Sequence, residues 1–209
     1  MSNVFSQPPA LGARRQPTQQ RSQERLDRIL AAAKELIATT GSDRVKMSEI
    51  AALADISIGS LYQYFPDKSA VIRTLAQRYN AESHRCIAEA LAGVSDLESL
   101  HIAYDGLVDQ YYELLLAEPV MRDIWSGMQA DKQLTALELE ESRACGALLA
   151  AAMQRASPGA DAEKIASSAF LIWQLGEATM RLAMALEREE GEVLVATYKR
   201  MSWREMAEP

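Results

Sequence analysis

Along most of the chain apolar residues recur at the three- and four-residue spacing of an amphipathic helix, and nowhere do they alternate over a useful length as a strand requires. From Ser22 the stripe reads Leu26, Ile29, Leu30, Ala33, Leu36 and Ile37, and Gly41 closes it as a C-terminal cap. A short second helix is predicted with Met47, Ile50, Ala51 and Ala54 on one face, then a tight turn through Asp55 and Ile56. Ser57 stands where an N-cap belongs, ahead of a very short third helix that holds Leu61 and that Phe65 and Pro66 close. Two short helices about a four-residue turn form a helix-turn-helix pattern.

A fourth helix starts near Asp67 and Lys68 and runs through Val71, Ile72, Leu75, Tyr79 and Ile87 toward Leu91. Beyond Gly93, Ser95 with Glu98 reads as a capping box that opens a helix carrying Leu97, Leu100, Tyr104, Leu107, Val108, Tyr111 and Leu115, until Pro119 interrupts it. A short helix with Met121, Ile124, Trp125 and Met128 follows, then a long one from about Lys132 to Arg155. After the loop SPGAD, Asp161 caps a further long helix to about Arg188, and Gly191 separates that from a last one ending near Met206. The expected fold is all-α, of about nine helices, with a three-helix head at the N-terminus.

Charge changes the picture by its position. The net charge of −7 does not suit a nucleic-acid partner, but it is unevenly spread. Residues 1–80 hold 11 Lys and Arg against 7 Asp and Glu, whereas residues 81–209 hold 11 against 22. Salt screens charge within about 10 Å, so a basic head can meet phosphate while an acidic body stays clear of it. No run approaches the ~20 apolar residues that cross a bilayer, and the first twenty residues lack a signal-peptide core, so a soluble cytoplasmic protein with no membrane partner is expected. Cys86 and Cys145 stand apart from each other and from any CxxC pattern, and His84 and His101 are the only histidines. No disulfide framework, metal site, cofactor loop or catalytic constellation is indicated, and the chain reads as no enzyme.

The stretches ILAAAKEL and SEIAALADISIGSLYQYFPDK, over about residues 22–75, resemble the DNA-binding head of the tetracycline-repressor family. The helix stripe, the IA-x-x-A element, the S-x-G-S-L-Y-x-Y-F run and the Lys three residues after Phe65 occur together and in order. The residues support the same roles on their own chemistry. A helix opening at Ser57 presents free backbone N–H groups, Gly59 clears a side chain where DNA would come close, and Tyr62, Tyr64 and Lys68 are suited to phosphate. Plain packing for the two tyrosines and a solvated surface role for Lys68 stand as the alternatives. By resemblance, Ser48, Ile58, Ser60 and Gln63 lie where the family reads bases or anchors to backbone; Gln63 suits adenine and Ile58 a thymine methyl. Two positions depart from the pattern. Asp55 replaces the usual turn Gly, and Val45 with Lys46 replaces the usual Thr pair, so Lys46 loses a cap and offers phosphate a charge instead. Arg14, Arg15 and Arg21 belong either to a solvated tail or to an arm that follows DNA.

The resemblance implies a division into a flexible arm (1–20), a helix-turn-helix domain (21–66), a linking helix (67–92) and an effector-binding and dimerisation domain (93–209). It implies a homodimer on a pseudo-palindromic double-stranded operator, released by a small molecule of unknown identity. The alternative is a DNA-binding regulator or architectural protein that needs no effector. The expected dimer face is Ile165, Ala169, Ile172, Gly176, Met180 and Ala183 on one helix and Leu194, Tyr198 and Met201 on the next. A mostly apolar ligand would sit among Tyr104, Tyr111, Tyr112, Met121, Trp125, Met128 and Trp173. Asp105, Asp109 and Glu113 flank that region and could favour a cation, although solvated surface acids are the plainer reading.

Overall fold

The computed structural model describes residues 15–118, 120–129 and 132–208, and their side chains except at 15–18, 126–129, 132–135 and 137. The residues 1–14 of the expected arm lie outside it. Among the described residues there are nine helices and no strand: α1 (Arg15–Thr40), α2 (Met47–Leu53), α3 (Ile58–Tyr64), α4 (Lys68–Leu91), α5 (Leu97–Ala117), α6 (Val120–Gln129), α7 (Lys132–Ala156), α8 (Ala162–Ala183) and α9 (Arg188–Ala207). No described helix is long and apolar enough to cross a membrane.

Two cores organise these helices. The first gathers Ile29, Ala33 and Ile37 of α1, Ile50 of α2, Leu61 of α3 and Val71, Ile72 and Leu75 of α4. It is completed by Val120 and Ile124 of α6, a contribution from far along the chain that the local stripes do not announce. The second core takes Ile87 and Leu91 from the far half of α4, together with residues of α5, α7, α8 and α9. α4 therefore feeds both cores, one from each end. α8 lies between α7 and α9 and packs on both.

Local chemistry sets the helix ends. Asp67 accepts from the amide of Ala70 at 2.8 Å and opens α4, and Asp161 accepts from those of Glu163 and Lys164 to open α8. Three ends differ from the sequence reading. α1 is already helical at Arg15, ahead of the start expected at Ser22. α5 is capped by Asp96 with Ser99 rather than by Ser95 with Glu98; a carboxylate one residue on is the stronger acceptor, and it takes the Ser99 amide at 2.8 Å. Gly191 is not a break. The chain turns at 184–187, and Gly191 lies inside α9, where a Cβ would stand 2.7 Å from the Ala183 carbonyl and 2.8 Å from the Tyr112 hydroxyl.

The face of α8 expected to meet a second copy is instead inside the protomer. Ile165, Ala169, Ile172, Met180 and Ala183 are buried, as is Tyr198 of α9, while Gly176 and Leu194 are partly covered. Met201 alone of the nine expected residues is exposed. The reason is geometric: the stripe is the side of α8 that closes on α9. Tyr104 donates to the Tyr198 hydroxyl at 2.8 Å, which donates to the Ile172 carbonyl at 2.6 Å. A Cβ at Gly176 would lie 2.7 Å from that hydroxyl. Gly176→Ala is accordingly expected to destabilise the chain by about 1–3 kcal/mol through overpacking, read as a lower urea midpoint at unchanged slope; an unchanged midpoint would show that α9 yields freely.

Candidate functional site

Two regions concentrate the residues singled out by sequence, one on the surface of the head and one inside the body. In the head, Ser57 caps α3 with its hydroxyl accepting from the Ser60 amide at 3.1 Å, and its own proton goes to the Ser60 hydroxyl at 3.0 Å. The turn before it is made by Asp55 at φ 53, a left-handed conformation that short polar side chains tolerate better than most. Leu61 is buried beneath α3, while Ile58, 42% exposed, and Tyr62, 52% exposed, stand in solvent, with Gln63 also exposed. A Cβ at Gly59 would meet no protein atom within 4 Å, so nothing in the protein's own packing requires glycine there.

Lys46 and Ser48, at the opening of α2, are exposed. A lysine ammonium has nothing to accept with, and the helix end is relieved from the other side: the Glu49 carboxylate accepts from the Lys46 amide at 3.1 Å. Tyr64 and Lys68 are less free. The Tyr64 hydroxyl lies 3.2 Å from Ser22 Oγ on α1, and Lys68 donates to the Asp43 carbonyl at 2.7 Å. Both brace the unit internally.

The second region is a cavity of about 340 Å³ within the body. Four of the expected ligand residues line it: Tyr104, Tyr111, Trp125 and Trp173. Tyr112 and Met121 do not; both are buried in the core, and the side chain of Met128 lies outside the described residues. Gly176, Met180 and Tyr198, expected at a dimer face, line the cavity instead. So do charged groups that the sequence reading passed over: Glu138, Glu141, Glu177, Arg122 and Arg181. The acids it did name are engaged outside, Asp105 and Asp109 with Lys199 and Glu113 with Arg188.

Glu177 is the chemically unusual member. Its two carboxylate oxygens each lie 3.1 Å from the hydroxyl of the fully buried Ser142, while the nearby Arg181 is paired with Glu138 at 3.5 Å. Burial pushes the Glu177 carboxyl up to about 7, and the neighbouring Glu138 adds to the rise against the Ser142 bond. Desolvation likewise raises the Tyr111 phenol and the Cys145 thiol above their usual ranges, which leaves Cys145 a poor nucleophile. Among the described residues no group of three or more His, Cys, Asp or Glu is placed to hold a metal ion.

Comparison with known proteins places both halves of the chain. Residues 29–75 match the model for bacterial regulatory proteins of the tetR family, and residues 98–209 match that for a tetracyclin repressor-like C-terminal domain. The HTH-type transcriptional repressor KstR of Mycobacterium tuberculosis is 30% identical over 79 residues, 37% of this chain and 36% of that one, so the match spans about a third of that relative's length. A TetR-family regulator from Streptomyces coelicolor superposes with a TM-score of 0.70 at 22% identity, over 89% of this chain and 97% of that one. RolR, solved in complex with its ligand resorcinol, superposes with a TM-score of 0.59 at 17% identity, over 91% and 97%.

The raised carboxyl at Glu177 gives a pH prediction. Its folded value of about 7 exceeds the unfolded 4.5, so ionising it costs stability progressively as pH rises across that window. Glu177→Gln is expected to stabilise the protein by about 1–3 kcal/mol at pH 8, with the gain vanishing toward pH 5. Thermal melts of both proteins across that range check it; a gain that does not change with pH would place the carboxylate in water.

Proposed function

The chain belongs to the tetracycline-repressor family of DNA-binding transcriptional regulators, and on that basis we propose that it is a homodimeric repressor released from a pseudo-palindromic operator by a small molecule held in the body cavity. The two α3 helices of the dimer would enter successive major grooves about 34–36 Å apart. Ile58, Gly59, Ser60, Tyr62 and Gln63 would face the DNA, flanked by Lys46, Ser48 and Ser57. Tyr64 and Lys68, braced internally, would serve chiefly to hold that face in position.

The observation that carries this reading is the outward face of α3. An apolar Ile58 and an aromatic Tyr62 stand in solvent there, beside a glycine that the protein's packing does not need. Such a face has no account within the protomer, and each of its features suits close approach to a groove. The basic balance of residues 1–80 adds the phosphate attraction.

For the dimer, the exposed apolar side chains give a face other than the one the stripe suggested. Leu171, Leu175 and Leu182 project from α8, and Val193 and Met201 from α9, all exposed by 47–61%. Their spacings keep each set on one side of its helix, and a second copy would cover both. For the effector, the support is the cavity itself and the neighbour crystallised with a small phenolic ligand. Ligand and DNA would oppose each other through linkage.

The test begins with selection of binding sites from random duplexes at fixed salt, where a two-fold symmetric site is expected. Gly59→Ala then separates recognition from folding. Ala is the better helix former, so stability should rise by about 0.5–1 kcal/mol. Affinity for the selected site should fall about tenfold or more, since a methyl intrudes where backbone meets DNA. A variant both more stable and equally tight on DNA would show that this face does not enter the groove.

A further inference from the structure

We infer that the cavity takes an amphipathic organic cation, with an apolar body among the leucines and aromatic rings and a protonated amine or quaternary ammonium set against Glu177. The inference rests on the effector reading above and specifies the chemistry of that ligand. Four carboxylates and two guanidinium groups line the cavity among its described residues, Glu82, Glu138, Glu141 and Glu177 against Arg122 and Arg181. Glu82 is paired with Arg85, and Glu138 with Arg181. Glu177 has no ion pair within 4 Å among the described residues; the Ser142 hydroxyl and the Trp173 indole bond to it, and the nearby Arg181 guanidinium is taken up by Glu138 at 3.5 Å. A carboxylate withdrawn from water with its nearest guanidinium already engaged by another acid is costly to ionise, and a ligand cation supplies the direct partner it lacks.

A second observation points the same way from the facing helix. The Tyr111 hydroxyl of α5 borders this cavity, is enclosed enough for desolvation to dominate its ionisation, and has no hydrogen-bond partner among the described residues. It feels Glu177 as its principal charged neighbour, so the two flank one space. Its oxygen can accept an ammonium N–H that also meets the carboxylate. The rings complete the arrangement: Tyr111 and Trp125 lie 6.0 Å apart at 56°, and Trp173 lines the same cavity. Aromatic faces about a carboxylate favour a soft cation over a neutral or anionic head, and a quaternary head would use the rings where it cannot donate.

Binding should respond to pH through Glu177. Around it stand Glu138, Glu141 and Cys145 on α7, Arg181 on its own helix, Tyr111 on α5 and Tyr198 on α9, with Glu82 of α4 and Arg122 of α6 at the cavity wall. The Glu177 carboxyl, at about 7, changes charge between pH 6 and 8, and its protonation removes the counter-charge.

The experiment titrates the full chain with decylammonium, 1-decanol and decanoate, matched in length and kept below their micellar range, by calorimetry and tryptophan fluorescence. At pH 8 decylammonium is expected to bind at least about tenfold tighter than 1-decanol, and decanoate weakest. Lowering the pH to 6 should weaken decylammonium about tenfold and leave 1-decanol unchanged. Glu177→Gln should bring the ratio of the two affinities toward one and remove its pH dependence. Tyr111→Phe should weaken decylammonium about threefold to tenfold without changing thermal stability, since that hydroxyl has no hydrogen-bond partner to lose among the described residues. Equal or tighter binding of 1-decanol or decanoate, a preference that survives in Glu177→Gln, or no binding by any of the three would each overturn the inference. Operator affinity measured alongside keeps the two readings apart. Decylammonium bound with no loss of operator affinity would sink release and leave the cation site standing, whereas release by 1-decanol alone would do the reverse.

Discussion

One carboxylate joins the two cores. Glu118, at the C-cap of α5, accepts from Lys34 of α1 at 2.7 Å and from the Tyr79 hydroxyl of α4 at 2.8 Å. The Lys34 bond holds the carboxyl below its usual range and raises the lysine in return, so the contact is charge-assisted and only part-exposed. Immediately beyond it α6 sends Val120 and Ile124 into the head. Without that insertion the underside of α1 and α4 would lie open, and the small head would have to bury its apolar surface alone, which domains of that size do poorly. The cavity borders the same place. Tyr111 and Leu114 stand within two turns of Glu118, and Trp125 contacts both cores. Filling the cavity and fixing the head therefore draw on one short stretch of helix.

Much of this was legible in the sequence. Wherever an apolar stripe met a short polar residue at the right offset, as at Ser57, Asp67 and Asp161, the helix begins as expected. The errors fall where two local signals compete. The segment SDLES holds both a Ser-x-x-Glu and an Asp-x-x-Ser pattern, and the ionised acceptor prevails. A glycine after a charged run resembles a helix end, yet Gly191 is there because α9 passes too close to Ala183 and Tyr112 for a Cβ. Close approach between distant segments leaves no mark in local periodicity.

The same limit explains the body. α8 is apolar on more than one side, with Ile165, Ala169 and Ile172 turned inward and Leu171, Leu175 and Leu182 outward. A stripe tells which residues share a face; it does not tell which face meets the protomer and which is left for a partner. The acids fared similarly. Asp105, Asp109 and Glu113 were visible because they flank an aromatic helix, but Lys199 and Arg188 neutralise them from α9, 75 or more residues on. Glu177 carried a usable signal that went unread, as the lone acid in the long apolar run FLIWQLGEATM. An acid on the buried side of such a run must find a partner or a cavity.

The places where the chain departs from its own local rules lie in these same two regions. In the head, Asp55 takes a left-handed conformation and Gly59 occupies a helical position where alanine would fit and hold better. In the body, Glu177 ionises against burial and the Tyr111 hydroxyl has no hydrogen-bond partner among the described residues. Among the described residues Asp105 Oδ1 is the single buried side-chain oxygen or nitrogen fully out of solvent's reach without a hydrogen bond. A chain with only about 5–15 kcal/mol of net stability gives up a sizeable share at each such position. Better packing alone would replace Glu177 with leucine and Gly59 with alanine. What both positions have in common is an unfilled space facing outward to a groove or inward to a cavity, and a sequence optimised for the isolated protomer has no reason to leave either one open.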